Sequence, residues 1–294
     1  MGSITTGSGH KVAMVTGAAQ GIGRALARQL AADGVVLGLI DNKREALNAT
    51  AEELRSSTTV ETFHADVRDP VAMERATATM CEKHGQLDLF INNAGVGILG
   101  EVRDHELEDW REVVDTNLYG TIHGVHAAYR RMIAQGSGHI VNMGSLAGGL
   151  PLPGNIAYVA SKAAVMNLTL ALRSEAELHG IGVTLVMPMA VSTTMLAEAK
   201  SLRIDAEAAR REFVGPSITP EECARQILRG VARNQAVVRP HLAKVLWFFH
   251  RFCQIPLGFF YRKVTRTVAR LRQADTADPN APSPTANQAE PPPR

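Results

Sequence analysis

A chain of 294 residues with 45% hydrophobic and 20% charged side chains carries enough apolar content for a sizeable core, and this composition excludes disordered, collagenous and disulfide-scaffold proteins. Its three cysteines, Cys81, Cys223 and Cys253, are far apart and form no CxxC or Cys/His cluster, so neither a disulfide framework nor a metal site is expected. The formal charge of +2 is unevenly shared: eleven basic residues from Arg225 to Arg272 meet no Asp or Glu, which leaves about −9 for the remainder by formal-charge counting.

Residues 1–10 are rich in Gly, Ser and Thr and lack the apolar segment of a secretory signal, so they read as a flexible leader. The opening Met1-Gly2-Ser3-Ile4-Thr5-Thr6 also fits the loose myristoylation pattern. An apolar run at 12–15 has strand length and ends in Thr16-Gly17-Ala18-Ala19-Gln20-Gly21-Ile22-Gly23; helical periodicity at Ile22, Leu26 and Leu30 then stops at Gly34. Glycines in such a strand–turn–helix unit let the backbone approach a pyrophosphate seated on the helix N-terminus. The spacing is GxxxGxG rather than GxGxxG.

A second buried-strand run, 35–40, closes at Asp41. An acidic residue about 20 positions after the glycine turn can accept hydrogen bonds from both ribose hydroxyls and repels a 2′-phosphate, which favours NAD over NADP. Arg24, Lys43 and Arg44 lie close in sequence and oppose that preference. A helix is expected over 44–54, a third strand over 60–65 closed by Asp66-Val67, and another helix from Asp69 as N-cap with Pro70 in its first turn. A fourth strand, 87–91, runs into Asn92-Asn93-Ala94-Gly95. A long helical stretch spans 106–135 and contains Asn117; a fifth strand over 139–143 delivers Ser145 just past its end. The next helix runs to about 179, followed by a sixth strand over 182–187 and a seventh over 236–239. Strands alternating with helices give a doubly wound parallel α/β sheet in a single domain, with ligands beyond the carboxyl ends of the strands.

Within Asn155-Ile-Ala-Tyr-Val-Ala-Ser-Lys-Ala163, Tyr158 and Lys162 stand at i and i+4 and share a helix face. An ammonium beside a phenol favours the phenolate, the direction needed for acid–base work at an alcohol or carbonyl oxygen.

Taken together, TGxxxGIG at 16–23, NNAG at 92–95, Asn117, Ser145 and Tyr158-xxx-Lys162 make residues 11–239 resemble the short-chain dehydrogenase/reductase family, whose motifs appear in the same order and at similar separations. The resemblance implies a Rossmann fold and a catalytic set of Asn117, Ser145, Tyr158 and Lys162. Tyr158 would exchange the proton, Lys162 would lower its pKa and hold the nicotinamide ribose, Ser145 would bond the substrate oxygen, and Asn117 would help keep a water linking Lys162 to solvent. Thr16, Gly17, Gln20, Gly21, Ile22 and Gly23 would line the cofactor phosphates and ribose, Asp66 and Val67 the adenine, and Asn93, Ala94 and Gly95 the adjoining ribose. After the sixth strand the family usually reads Pro-Gly; here Pro188 is followed by Met189, and Thr193 matches the residue that holds the carboxamide. The expected cofactor is NAD, with NADP second, and no metal is required.

Residues 195–216 read as polar and helical, the substrate lid of relatives, and the mainly apolar wall at 146–155 points to a small hydrophobic alcohol or ketone of steroid, retinoid or fatty-chain type. Beyond the catalytic domain, 241–272 mixes Trp247, Phe248, Phe249, Phe252, Phe259, Phe260 and Tyr261 with basic residues. Such a segment suits a helix at an anionic membrane surface, or one that packs on its own subunit and covers the substrate entrance. No nucleic-acid-binding motif accompanies the charge. The Pro/Ala/Asn-rich stretch 273–294 cannot bury enough to fold. Free thiols suit a reducing compartment, so a cytoplasmic protein is expected, peripheral on the membrane inner face in the first reading of the extension, and the resemblance implies a homodimer or homotetramer. The rival reading from another class is a catalytically silent NAD(P)-binding sensor or membrane-associated scaffold.

Overall fold

The computed structural model describes residues 11–150, 152–189, 191–192, 199–205, 207–208, 217–240, 243 and 258–272. Seven parallel strands form the central sheet: β1 (Val12–Thr16), β2 (Val36–Asp41), β3 (Val60–His64), β4 (Leu89–Asn92), β6 (Gly138–Met143), β7 (Ile181–Val186) and β9 (Val237–Val238). Their spatial order is β3-β2-β1-β4-β6-β7-β9, with β1 in register with β2 (Val15↔Leu39) and β4 (Val15↔Ile91). The order of the strands reverses between β1 and β4, and a crevice opens there at the carboxyl edge.

The strands are apolar throughout because helices cover both faces. Side chains alternate across β1: Ala13 and Val15 pack with Leu26 and Leu30 of α1 (Gly21–Ala32), Leu47 of α2 (Arg44–Leu54) and Ile227 of α7 (Pro220–Ala232). Val12 and Met14 face the other layer, with Met73 and Met80 of α3 (Pro70–His84), Met132 of α5 (Gly120–Gln135) and Leu172 of α6 (Ile156–Glu177). Phe90 in β4 is fully enclosed, a burial worth roughly 2 kcal/mol. Helix α3 begins as its sequence indicates, with the Asp69 carboxylate accepting from the Val71 and Ala72 amides and Pro70 in the first turn.

The expected helix over 106–135 is helical along its length but not uniform. It comprises α4 (Leu107–Val114), a π-helical turn over Asp115–Tyr119 and α5. The stretch read as a helical lid differs more. Its residues Lys200–Ser201 form a strand, β8, paired in parallel with β5 (Ile98–Leu99), and Leu202 N donates to Leu99 O at 2.7 Å. Leu202 packs with Ile98 on one side of this ribbon, an apolar anchor that a helical reading of a mostly polar stretch overlooks. The remainder of that stretch lies outside the described residues except Ala199, Arg203, Ile204, Asp205, Glu207 and Ala208.

Helix α8 (Gly258–Leu271) returns to the body of the chain and packs Val264, Val268 and Leu271 beside Leu99 and Ile204. Arg272, just past its end, forms an isolated antiparallel bridge with Ile204. Among the described residues no helix is long and apolar enough to cross a membrane.

Candidate active site

Every described residue expected at the cofactor and catalytic site lies at or next to the carboxyl edge of the sheet or on the helices that flank it. The glycine turn joins β1 to α1, with Gly17 (φ +65°) and Gly21 (φ +55°) in the left-handed region that favours glycine. A Cβ on Gly23 would come within 2.0 Å of Gly17 O, and one on Gly17 within 2.9 Å of Ala94 Cα. The turn therefore closes tightly on its own helix and on the loop after β4. The Asn93 amide group secures it by donating to Thr16 O at 2.9 Å and Gly17 O at 3.2 Å. Thr16 Oγ1 in turn accepts from the backbone N–H groups of Asn93 and Ala94.

The donor set fits a dinucleotide. Gln20 precedes α1 without a side-chain capping bond, and no acidic residue occupies the first turn, where Ile22 follows Gly21. The leading N–H groups of α1 and its dipole thus suit a phosphate. At the end of β2 the Asp41 carboxylate is 8% exposed and accepts from Ala19 N at 2.9 Å and Lys43 N at 3.0 Å. With about four lone-pair sites a carboxylate retains capacity for ribose hydroxyls. The nearby cations are engaged: Arg24 pairs with Glu53 at 2.6 Å, Lys43 Nζ donates to Gln20 Oε1 at 3.2 Å, and the Arg44 guanidinium lies 3.0 Å from the His64 ring. The Asp66 carboxylate is held by the Arg68 fork, whose hydrogen bonds keep it below the usual carboxylate range. Val67 is buried over Gly120, where a Cβ would reach within 2.6 Å of its Cγ2.

Ser145 ends the loop after β6; its Oγ accepts from Ala147 N at 3.1 Å, and its hydroxyl lies near enough to the Tyr158 phenol to lower that group's pKa. Lys162, 4% exposed, donates from Nζ to Met143 O at 2.7 Å and stands 5.7 Å from the centre of the Tyr158 ring. Burial pushes the phenol of Tyr158 above its ordinary range, while the Ser145 hydroxyl draws it back. Burial also pushes Lys162 down to about 8. Desolvation is the larger influence on the Tyr158 phenol in this arrangement, where the Lys162 Nζ hydrogen bond goes to the Met143 carbonyl.

Asn117 lies in the π-helical turn and is fully buried. Its Oδ1 accepts from Val96 N at 2.8 Å, and its Nδ2 donates to Val96 O at 2.9 Å and Ser161 Oγ at 3.0 Å. It clamps the loop after β4 to α6. Gly95 sits between it and the lysine, since a Cβ there would lie 3.0 Å from Asn117 Oδ1 and 3.4 Å from Lys162 Nζ. Beyond β7, Pro188 O accepts from Leu146 N at 2.9 Å, tying that loop to the Ser145 turn. Met189 carries its side chain without left-handed strain, because Arg203 and Asn234 are the positive-φ non-glycine residues among those described. Thr193 lies outside the described residues.

Three contributors were missed from sequence. Met143 offers only a main-chain carbonyl, which no side-chain pattern can reveal. Ser161 donates to Tyr158 O at 2.8 Å, and a serine inside a helix carries little signal of its own. Asn155 borders the tyrosine: a Cβ on Gly97 would lie 3.7 Å from both Asn155 Nδ2 and Tyr158 Cδ2. Among the described residues no group of His, Cys, Asp and Glu could hold a metal ion.

Comparison with known proteins shows the family and the fold. The short chain dehydrogenase family model matches residues 11–203. The oxidoreductase SadH of Mycobacterium tuberculosis is 34% identical over 234 residues, covering 78% of this chain and 85% of that protein. Sulfoacetaldehyde reductase 2 of Chromohalobacter salexigens is 38% identical over 179 residues, 60% of this chain and 71% of that protein. A short-chain dehydrogenase/reductase of Burkholderia phymatum, solved in complex with NAD, superposes with a TM-score of 0.75 at 28% identity and covers 92% of this chain and 98% of its own. The chain belongs to the short-chain dehydrogenase/reductase family of oxidoreductases.

Proposed function

We propose that this protein transfers a hydride between NAD and a lipophilic secondary alcohol or its ketone, with Tyr158 exchanging the substrate proton. The observation that carries the reading is the meeting of the Ser145 hydroxyl, the Tyr158 phenol and the Lys162 ammonium beside a glycine turn suited to a dinucleotide. The nicotinamide supplies the hydride chemistry. Ser145 holds the substrate oxygen, and Tyr158 accepts its proton during oxidation or returns it during reduction. Lys162 favours the phenolate and binds the nicotinamide ribose; Asn117 keeps α6 and the loop after β4 in place for that contact, and a water at its turn links Lys162 to solvent. Gln20, Gly21, Ile22 and Gly23 hold the phosphates, Asp41 the adenosine ribose, Asp66 and Val67 the adenine, and Pro188 and Thr193 the carboxamide side.

NAD is favoured by the Asp41 carboxylate at the end of β2, which would repel a 2′-phosphate, while Arg24, Lys43 and Arg44 each have partners of their own; the Burkholderia relative was solved with NAD. A lipophilic substrate is favoured by Val96, Ile98, Trp110 and Leu202, which pack with Tyr158. Leu107, Tyr119, Ile133, Ile156 and Leu170 remain exposed on α4, the π-helical turn, α5 and α6, which supports a homodimer or homotetramer built on those helices. The exposed Arg262, Lys263 and Arg266 of α8 support peripheral contact with an anionic membrane surface, from a cytoplasmic location. Flotation with vesicles of anionic lipid tests that contact, and a protein that stays in the soluble fraction contradicts it.

The test of the main reading is nicotinamide absorbance with NAD and NADP in parallel across a panel of hydrophobic secondary alcohols. Turnover with NAD is expected. Tight binding of both nucleotides without turnover of any alcohol or ketone favours a silent binding protein instead.

A further inference from the structure

The ribbon β5–β8 separates two apolar clusters. On one side Ile98 packs with Val96, Trp110, Ala157, Leu202 and Tyr158; on the other, Leu99 packs with Ile204, Val264, Val268 and Leu271. The alternation of Ile98 and Leu99 is that of a strand with two occupied faces. Two strands of two residues each do not hold together alone and need a covering layer. Helix α8 is that layer.

Two further features lock it. Val268 fills the space above Gly154, where a Cβ would lie 2.9 Å from Val268 Cγ2; Gly154 (φ +82°) accepts from Gly100 N and stands four residues before Tyr158. Arg272 closes a forked ion pair with Asp104 at 2.8 and 2.9 Å, with side chains 13% and 5% exposed. Asp205 N also donates to Leu271 O. The outer face of α8, with Arg262, Lys263 and Arg266 exposed, takes no part in this packing.

We propose that α8 is a positioning element for the substrate site, holding the β5–β8 wall against Tyr158 through Val268 and the Asp104–Arg272 clasp, so that substrate affinity and selectivity depend on a segment beyond the catalytic core. The proposal rests on the Tyr158 reading above for its meaning in catalysis, but its structural half is testable without turnover. In Arg272→Ala, amide hydrogen exchange in peptides covering 97–104 and 199–205 is expected to rise about tenfold while β1–β4 are unchanged, as for a local opening. With an alcohol that turns over, KM is expected to rise about tenfold with kcat within about twofold and nucleotide affinity unaltered. Val268→Ala moves both readouts the same way by less, and Arg272→Lys restores part of the loss. Unchanged exchange in both segments in both alanine variants overturns the proposal, and so does a uniform rise across the sheet in both. If no alcohol turns over, the exchange result still decides this inference while the oxidoreductase reading fails by itself.

Discussion

Lys162 Nζ lies 5.7 Å from the centre of the Tyr158 ring and gives its hydrogen bond to Met143 O, so the two groups of the i, i+4 pair are neighbours without being bonded. Both are shifted by burial toward their neutral forms, the phenol upward and the ammonium down to about 8. Alcohol oxidation needs the phenolate as base, so kcat is expected to climb as pH rises and to fall toward neutral pH. Ketone reduction needs the protonated phenol and is expected to show the opposite slope. Lys162→Met removes the positive charge that favours the phenolate, and oxidation at neutral pH is expected to drop by about 100-fold or more. Overlapping pH profiles for wild type and the variant would remove Lys162 from the proton chemistry.

Gly23 makes a sharper structural prediction. Its absent Cβ would stand 2.0 Å from Gly17 O, a backbone atom held by the Asn93 amide. Gly23→Ala must open the turn, at a cost of about 1–3 kcal/mol for overpacking. Nucleotide affinity, measured by calorimetry, is expected to fall by about tenfold or more as the phosphate donors move. Unaltered affinity would show that the turn does not carry the phosphates.

Asp41 combines a structural acceptor role with the proposed selection of NAD. Asn at this position keeps one oxygen, for the Ala19 N–H, and loses both the acceptor of the Lys43 N–H and the charge that repels a 2′-phosphate. For Asp41→Asn the ratio of kcat/KM for NADP to that for NAD is expected to rise about tenfold, equivalent to 1.4 kcal/mol. An unchanged ratio would move cofactor choice away from this carboxylate.

Stability should also respond to His139. Its imidazole, bonded to Thr184 Oγ1 at 2.8 Å, is pushed down to about 4 by burial and, secondarily, by the Arg173 charge. The folded state therefore resists a proton that the unfolded chain accepts near pH 6.5. The contribution is complete above that pH and is lost as pH falls toward 4, about 2 kcal/mol of it by pH 5. Denaturant unfolding at pH 7 and pH 5 is expected to show that loss in wild type and a smaller one in His139→Gln. Equal losses would place the pH sensitivity elsewhere.

The elements most legible in the sequence are those with local causes. The apolar run at 12–15, the Asp69-Pro70 start of α3 and the helix over Arg44–Leu54 each carry their own propensity or cap, and each appears as read. The motif residues likewise converge on one edge because parallel strands deliver their loops there. What escaped depends on partners distant in sequence. Two-residue strands such as β5 and β8 have no period to detect. The Asn93 and Asn117 amides are spent on backbone groups that only the folded loops bring near. The described part of α8 packs on its own chain through Val268 and Arg272, while Arg262, Lys263 and Arg266 on its outer face are exposed. Its aromatic stretch at 242–257 lies outside the described residues apart from Ala243.

The most direct measurement is single-turnover hydride transfer by wild type and Tyr158→Phe, with NAD and the best alcohol of the panel, alongside nucleotide affinity for each protein. If Tyr158 is the acid–base group, the variant binds NAD with unchanged affinity and its hydride-transfer rate falls by about 100-fold or more. A Tyr158→Phe protein that keeps the wild-type rate would contradict the assignment of proton transfer to this residue and, with it, the central mechanism.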